Sequence, residues 1–175
     1  MTKNESIALF QALNKLGNLR GVKFAYGVSR NLALLKPELE SLEKASAFTD
    51  EYKEFETKRI ALVEKFAKKD EKTGKALKNR DLNSQSENYI IEEGKQEELD
   101  KEFEALRSEN QEVWDARVKQ VEEYNELLKT DSSVVLYKVN LSDVPTDISV
   151  AQMHSISAIV SEDIASPYSP KEIKL

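Results

Sequence analysis

Two long stretches of the chain place apolar residues at the spacing of an α-helix. In residues 22–69 the apolar positions recur mostly every three or four residues, with charged residues between them. Residues 95–129 repeat the pattern. We predict that each stretch forms one long helix. Because only about 25 residues connect them, the two helices are expected to run antiparallel as an α-hairpin.

Two polar or helix-breaking positions fall on these apolar stripes. A proline inside a helix removes one hydrogen bond and clashes with the preceding turn, so Pro37 predicts either a kink or the end of one helix and the start of another. The stripe keeps its phase across Pro37, which favours the kink. Asn110 lies near the middle of the second stripe, where a polar residue typically sets the register of packed helices.

Shorter elements are predicted at both ends and between the arms. Thr2 with Glu5, and Ser149 with Gln152, have the spacing of capping boxes, and each is followed by an amphipathic helical pattern. Residues 70–94 are rich in turn formers and suit either a β-hairpin, with strands at 76–77 and 89–91, or an irregular tip. Residues 134–139 are rich in β-formers and predict the best strand of the protein.

These elements predict a mainly α fold with minor β content, in which a long antiparallel α-hairpin carries short N- and C-terminal helices and one or two short strands. Residues 1–163 are expected to form a single elongated helical domain, and residues 164–175 an extended or flexible tail. Two helices share a seam rather than a core, so their stripes need further cover. We therefore predict a homo-oligomer.

The composition argues against most enzymes. The chain of 175 residues has no cysteine and a single histidine, His154, and it lacks a glycine-rich phosphate loop. Its carboxylates are spread over helix faces with basic neighbours, as on solvated surfaces. The sequence shows no signal-peptide pattern and no apolar run long enough to span a membrane. We expect a cytoplasmic, non-enzymatic protein with no cofactor and no membrane partner.

One pattern could indicate a metal site. Asp81, Asn83, Gln85 and Glu92 match four ligand positions of a calcium-binding loop. Ser86, however, stands where that loop needs glycine for its sharp turn. We therefore expect no metal.

The charge is distributed unevenly. Residues 1–36 carry six Lys or Arg and one acidic residue, a net charge of +5, whereas residues 85–130 carry six and fourteen, a net charge of −8. An acidic helix repels nucleic acid, so we expect no nucleic-acid polymer as a partner. The basic end is the predicted surface for a small anion.

Within that basic end, the candidate binding residues are Arg20, Lys23, Tyr26 and Arg30. They follow a predicted turn at residues 18–21 and lie at or near the beginning of the first long helix, where free backbone N–H groups favour anions. Tyr26 could stack on a base. The alternative interpretation is a solvated basic turn with no ligand.

Several segments carry a resemblance to a known family. They are Ser29-Arg30-Asn31-Leu32, Lys36-Pro37-Glu38, Asn125-Glu126-Leu127-Leu128, Val139-Asn140-Leu141-Ser142-Asp143 and Ser149-Val150-Ala151-Gln152-Met153. In these segments, and in the order of its parts over most of residues 20–163, the chain resembles a family of small helical proteins encoded by bacteriophages and prophages, which have no established activity. It departs from them in a longer second helix and an added C-terminal tail. The resemblance implies a phage origin and no catalytic residues.

Together these observations predict a phage accessory protein that binds and sequesters or blocks its target in the host cytoplasm. The target would be a host protein or a small anionic, nucleotide-like signal, and the role would be counter-defence. The alternative is a structural or assembly protein of the virion, such as a scaffold or chaperone, built on an oligomerising α-hairpin.

Overall fold

The computed structural model describes residues 1–80 and 87–161, and over these residues it confirms the mainly α class with minor β content. The helices are α1 (Lys3–Asn14), α2 (Val22–Ser46), α3 (Asp50–Phe66), α4 (Gln96–Glu109), α5 (Gln111–Lys129) and α6 (Val150–Ser155). The strands are β1 (Lys78–Arg80), β2 (Glu87–Tyr89), β3 (Val139–Asn140) and β4 (Val160–Ser161). The predicted C-terminal tail at 164–175 lies outside the described residues.

The first of two compact units consists of Met1–Ser46 and the chain after Glu123. Here α1 packs on α2 and α6. The buried core contains Leu9, Leu13, Leu16, Phe24, Leu35, Val139, Ile156 and Ile159.

The two helices of this unit that were predicted from capping boxes begin as expected. Thr2 Oγ1 accepts the Glu5 N–H at 3.2 Å, and Glu5 Oε2 accepts the Thr2 N–H at 2.7 Å. Ser149 and Gln152 exchange the same pair of bonds at the beginning of α6. Both predictions of a helix N-terminus are therefore confirmed.

The predicted strand over 134–139 is wrong for residues 134–138. Only Val139–Asn140 forms a strand, and it pairs in parallel with β4 of the same chain. The preceding residues form no regular secondary structure, and the side chain of Asn31 in α2 bonds the backbone of Tyr137. β-Forming composition indicates an extended, half-buried segment, and here a side chain takes the place of a neighbouring strand.

The second compact unit is the continuous stretch Ala47–Glu123. In it α3 runs antiparallel to α4 and the first part of α5. Lys65 Nζ lies 2.6 Å from Glu102 Oε1, the rings of Phe55 and Trp114 are 5.8 Å apart, and Gln120 Nε2 donates to Ala47 O at 3.0 Å. An antiparallel helical hairpin is thus present within this unit.

The predicted arms are not continuous helices, and this part of the prediction is wrong. The first arm is divided between Ser46 and Asp50, because Thr49 leaves helical geometry and caps α3 by accepting the Tyr52 N–H. The second arm is divided at Asn110, the C-cap of α4, whose Nδ2 donates to Leu106 O at 2.7 Å. Pro37, by contrast, lies inside α2 without ending it.

The tip of the second unit contains the predicted β-hairpin, displaced from the expected positions. β1 and β2 pair antiparallel, with Lys78 opposite Tyr89. Of the residues in the calcium-like pattern, 81–86 lie outside the described part of the chain. The expectation of a single domain over residues 1–163 stays a prediction.

Candidate functional site

The predicted anion site lies at the beginning of α2, in the first unit. Gly21 has a φ of +134°, a left-handed conformation that favours glycine, and its carbonyl accepts the Ala25 N–H at 2.8 Å. The helix begins at the next residue, and its first turn contains no acidic side chain. Lys23 and Tyr26 are therefore presented on the first turns of a helix whose N-terminal dipole favours negative charge.

The segment before β3 forms the opposite wall. Asn31 Nδ2 donates to Tyr137 O at 2.8 Å and to Gly27 O at 2.9 Å, and Asn31 Oδ1 accepts the Tyr137 N–H at 2.8 Å. Asn31 is completely buried. A Cβ at Gly27 would overlap Cγ2 of Val139, so only glycine permits this close approach. The two positions fix the distance between α2 and the wall.

Between these walls lies a cleft of about 280 Å³. It is lined by Val22, Lys23, Tyr26, Tyr137, Lys138, Val139, Asn140 and Asp143. We refer to it as the α2 cleft. This volume is slightly below the range of about 300–1,000 Å³ that is typical of small-molecule sites. The cleft could therefore hold one part of a ligand but not enclose all of it.

The charged groups of the α2 cleft are two lysines and one aspartate. Lys23 Nζ lies 3.2 Å from Asp143 Oδ1, with the lysine side chain 79% exposed and the aspartate 22% exposed. Lys138 Nζ donates to Ala158 O at 2.6 Å. Both lysines keep further donor capacity, since an ammonium group has three N–H bonds. The carboxylate of Asp143 balances one of the two positive charges.

The aromatic part of the cleft is a pair of tyrosines. The rings of Tyr26 and Tyr137 meet edge to face, with centroids 5.7 Å apart. The Arg30 guanidinium lies over the Tyr137 ring at 5.9 Å. Tyr26 is 55% exposed, which leaves ring surface for a planar ligand.

The structure brings together only part of the predicted site. Lys23 and Tyr26 line the α2 cleft, and Arg30 contacts it through Tyr137. Arg20 is exposed in the segment just before α2 and is not among the lining residues.

Sequence reasoning missed the wall that carries Tyr137, Lys138 and Asp143. Their local pattern predicts a strand and a loop, and nothing in it indicates that they face α2. The buried Asn31, which holds them there, is a polar residue within an apolar helical face. That is the signal that could have located the wall.

A second cavity, of about 390 Å³, lies in the second unit between α3 and α5. It is more apolar than the α2 cleft and adjoins a chain of aromatic contacts from Phe48 through Tyr52 and Phe55 to Trp114. Arg117 lies over the Phe48 ring at 4.5 Å and the Tyr52 ring at 5.5 Å. Burial is the main cause that raises the pKa of Tyr52. Because the rings and the arginine pack on one another, this cluster holds α3 to α5 rather than presenting a site.

Within residues 1–80 and 87–161, the structure places no cluster of three or more histidine, aspartate or glutamate side chains where they could hold a metal ion. The helices in the same residues also include none long and apolar enough to cross a membrane. The α2 cleft offers cationic donors, one carboxylate and an exposed aromatic ring, which together suit the binding of a small planar anion.

No protein-family model matches the chain, and the comparisons with curated proteins and with solved structures give no match.

Proposed function

We propose that the protein is a non-enzymatic binding protein of phage origin that sequesters a small anionic, nucleotide-like ligand in the α2 cleft. The observation that carries the proposal is the placement of Lys23, Lys138 and the exposed ring of Tyr26 around one cleft at a helix N-terminus. A counter-defence role in the host cytoplasm fits such an activity, because removing a signal requires binding and no chemistry.

Each part of the cleft has a counterpart in a nucleotide. The ammonium groups of Lys23 and Lys138 can donate to phosphate oxygens, and the ring of Tyr26 can stack on a base. Asp143 can accept from a sugar hydroxyl when the phosphate takes over its lysine partner. Binding would therefore break the ion pair between Lys23 and Asp143 and form one interaction of each residue with the ligand. Because both charged groups would keep a partner, the electrostatic cost of binding would be small.

Substitutions in the cleft test this proposal. We expect Lys23→Glu and Tyr26→Ala each to weaken the binding of AMP, used as a probe, by about tenfold or more, because each removes one charge-assisted hydrogen bond or one stacking partner. Isothermal titration calorimetry measures the affinity. Native mass spectrometry of protein purified from cells, before and after mild denaturation, reports whether a small anion is retained and released.

Lys44→Glu provides a matched control, because Lys44 is an exposed lysine in the last turn of α2. Arg20 is a predicted binding residue that does not line the cleft, so we expect Arg20→Ala to change the affinity for AMP very little. Unaltered AMP affinity and ligand retention in both cleft variants would exclude this cleft as the binding site.

A second candidate function is that of a virion or assembly component, and one observation favours it. None of the residues of α5 is buried, and Val118 and Val121, one turn apart, are 43% and 39% exposed. Such a face suits lateral packing against a second copy of the chain. Presence in purified virions at a fixed copy number would support this role over sequestration.

The same face gives a test of the predicted homo-oligomer. We expect sedimentation velocity at micromolar concentration to show an oligomer, and Val118→Glu with Val121→Glu to shift it to monomer, because two buried carboxylates would lack partners. The control adds the same charges at exposed positions of α4 (Ala105→Glu with Ser108→Glu). A monomer peak for the unchanged protein would contradict the prediction.

A further inference from the structure

The tip of the second unit is strongly basic, although the chain as a whole is acidic. Residues 65–80 carry seven Lys or Arg and only two acidic residues, a net charge of +5 in a protein whose net charge is −6. This stretch covers the end of α3, the turn after it and β1. We refer to it as the basic tip. Most of these residues lie between the two predicted helices at 22–69 and 95–129, so the net charge of either helix does not reveal them.

The backbone of the basic tip is well ordered by hydrogen bonds. Asp70 Oδ1 accepts from the Thr73 N–H and the Thr73 hydroxyl, both at 2.8 Å, and from the Lys72 N–H at 3.2 Å. The Thr73 hydroxyl is the main cause that lowers the pKa of Asp70. Gly74, with a φ of +68°, closes the turn by donating to Asp70 O at 2.8 Å. One of the two acidic side chains is thus used to fold the turn rather than to pair with lysines.

An open cavity of about 490 Å³ lies against this turn, lined by Glu64, Lys65, Lys69, Gly74, Lys75, Ala76, Lys78 and Tyr89. Four of its eight lining residues are lysines, and two of these are partly neutralised. Lys65 Nζ lies 2.6 Å from Glu102 Oε1, and Lys78 Nζ lies 3.6 Å from Glu87 Oε2. Within the described part of the chain, Lys69 and Lys75 have no carboxylate at ion-pair distance. These two lysines are available to an external anion.

The aromatic residue of the cavity is already engaged. The Tyr89 hydroxyl donates to Glu64 Oε1, and Lys78 Nζ lies over the Tyr89 ring at 4.7 Å. A ligand therefore finds cationic donors here but no free ring on which a base could stack. Lysines are point charges without the planar fork of arginine, so they favour phosphate groups without fixing one orientation.

We propose that the basic tip binds the phosphate backbone of a nucleic-acid strand, through Lys69 and Lys75 in particular. Several lysines along one ordered turn match a row of phosphates better than a single one, and the absence of a free stacking ring at this cavity makes the contact independent of base sequence. The acidic helix α4 follows β2 closely in the chain, with Glu97 and Glu98 in its first turn. Repulsion from these residues confines the contact to a few phosphates. The sequence predicts no nucleic-acid partner because residues 85–130 are acidic. The basic tip, at residues 65–80, lies before that acidic stretch, so that prediction does not apply to it.

Fluorescence anisotropy tests the proposal with the full-length protein and a labelled oligothymidylate of about 20 nucleotides, in salt from about 50 to 200 mM. We expect weak binding that falls steeply with salt. Lys69→Glu with Lys75→Glu should lower the affinity by about tenfold or more and reduce the slope of log affinity against log salt by about 1.4, since each lost phosphate contact on a single strand contributes about 0.7. The control reverses two other exposed lysines of the same unit, Lys101→Glu with Lys119→Glu, and so makes the same change in net charge.

The outcomes separate the possible explanations. An equal loss in both double variants would overturn the proposal, because net charge alone would then explain binding. Inorganic phosphate could compete with the labelled strand as effectively, per phosphate group, as unlabelled oligonucleotide does. That result would also overturn the proposal, because it would show that the basic tip binds a single phosphate and not a strand. Circular dichroism checks that both variants fold. In the tip variant the charge reversal relieves repulsion among lysines, and in the control the two replaced side chains are exposed. AMP binding in the α2 cleft should be unchanged in the tip variant, which keeps the two proposals independent.

Discussion

Asn31→Leu is expected to lower the free energy of unfolding by about 2–4 kcal/mol, since it leaves buried or partly buried backbone groups without partners. Asn31 is fully buried and joins α2 to Tyr137, donating to its carbonyl and accepting its N–H, both at 2.8 Å. Leucine has the same number of side-chain heavy atoms but bulkier methyl groups, so the expected loss combines the missing hydrogen bonds with overpacking at a fully buried position. Equilibrium unfolding in urea, followed by circular dichroism, measures the effect.

Two further variants help to interpret the change in the free energy of unfolding. Asn31→Asp keeps an acceptor for the Tyr137 N–H but loses the donor, and we expect a loss of similar size. Asn125→Leu is the control, because Asn125 is exposed on α5 and its replacement should change the unfolding free energy by less than about 0.5 kcal/mol. Equal stability of Asn31→Leu and the unchanged protein would show that these hydrogen bonds contribute little.

The second large effect is expected from Gly27→Ala. In an exposed helix interior this change stabilises by about 1 kcal/mol, because alanine is the better helix former. At Gly27 the added methyl group would overlap Cγ2 of Val139, and we expect a net destabilisation of about 1–3 kcal/mol. The sign of the change therefore distinguishes the two effects in an unfolding measurement.

Gly17→Ala serves as the comparison, since a methyl group at Gly17 meets no atom within 4 Å. We expect it to be neutral or slightly stabilising. Because Val139→Ala removes the overlapping methyl group, we expect it to cost less when added to Gly27→Ala than it costs in the unchanged protein. A stabilising Gly27→Ala, or a double variant with simply additive losses, would mean that the close approach of α2 and Val139 is unimportant.

The parts of the fold that could be predicted from the sequence are set by local interactions. The capping boxes at Thr2 and Ser149 involve residues three apart, and each begins a helix where expected. The division of the first arm at Thr49 was missed because the apolar stripe continues across it and Tyr52, rather than Glu or Gln, follows three residues later. Pro37 is the reverse case, because the sequence predicts a break or a kink there and α2 continues through it. The carbonyl that it deprives of a partner belongs to Ala33, which is an exposed residue, so water can satisfy that carbonyl and α2 continues.

The candidate site shows the limit of this approach in one pair of residues. Lys23 and Tyr26 were predicted because they lie close together in sequence at a helix N-terminus. Tyr137 was not, because its position depends on Asn31, which lies 106 residues away in the chain. A partnership at that separation leaves no periodic signal, and β-forming composition suggested a strand in its place.

The division of the chain into two units has a consequence for the order of events during synthesis. The second unit is the single stretch Ala47–Glu123, whereas the first is assembled from segments on both sides of it. α1 and α2 leave the ribosome first, yet their core is completed only by Val139, Ile156 and Ile159. We therefore expect Ala47–Glu123 to finish folding before the other unit, although its synthesis starts later. In the interval the parts of α1 and α2 that will contact these three residues are uncovered, and a nascent chain in that state is a substrate for the chaperones of the cell.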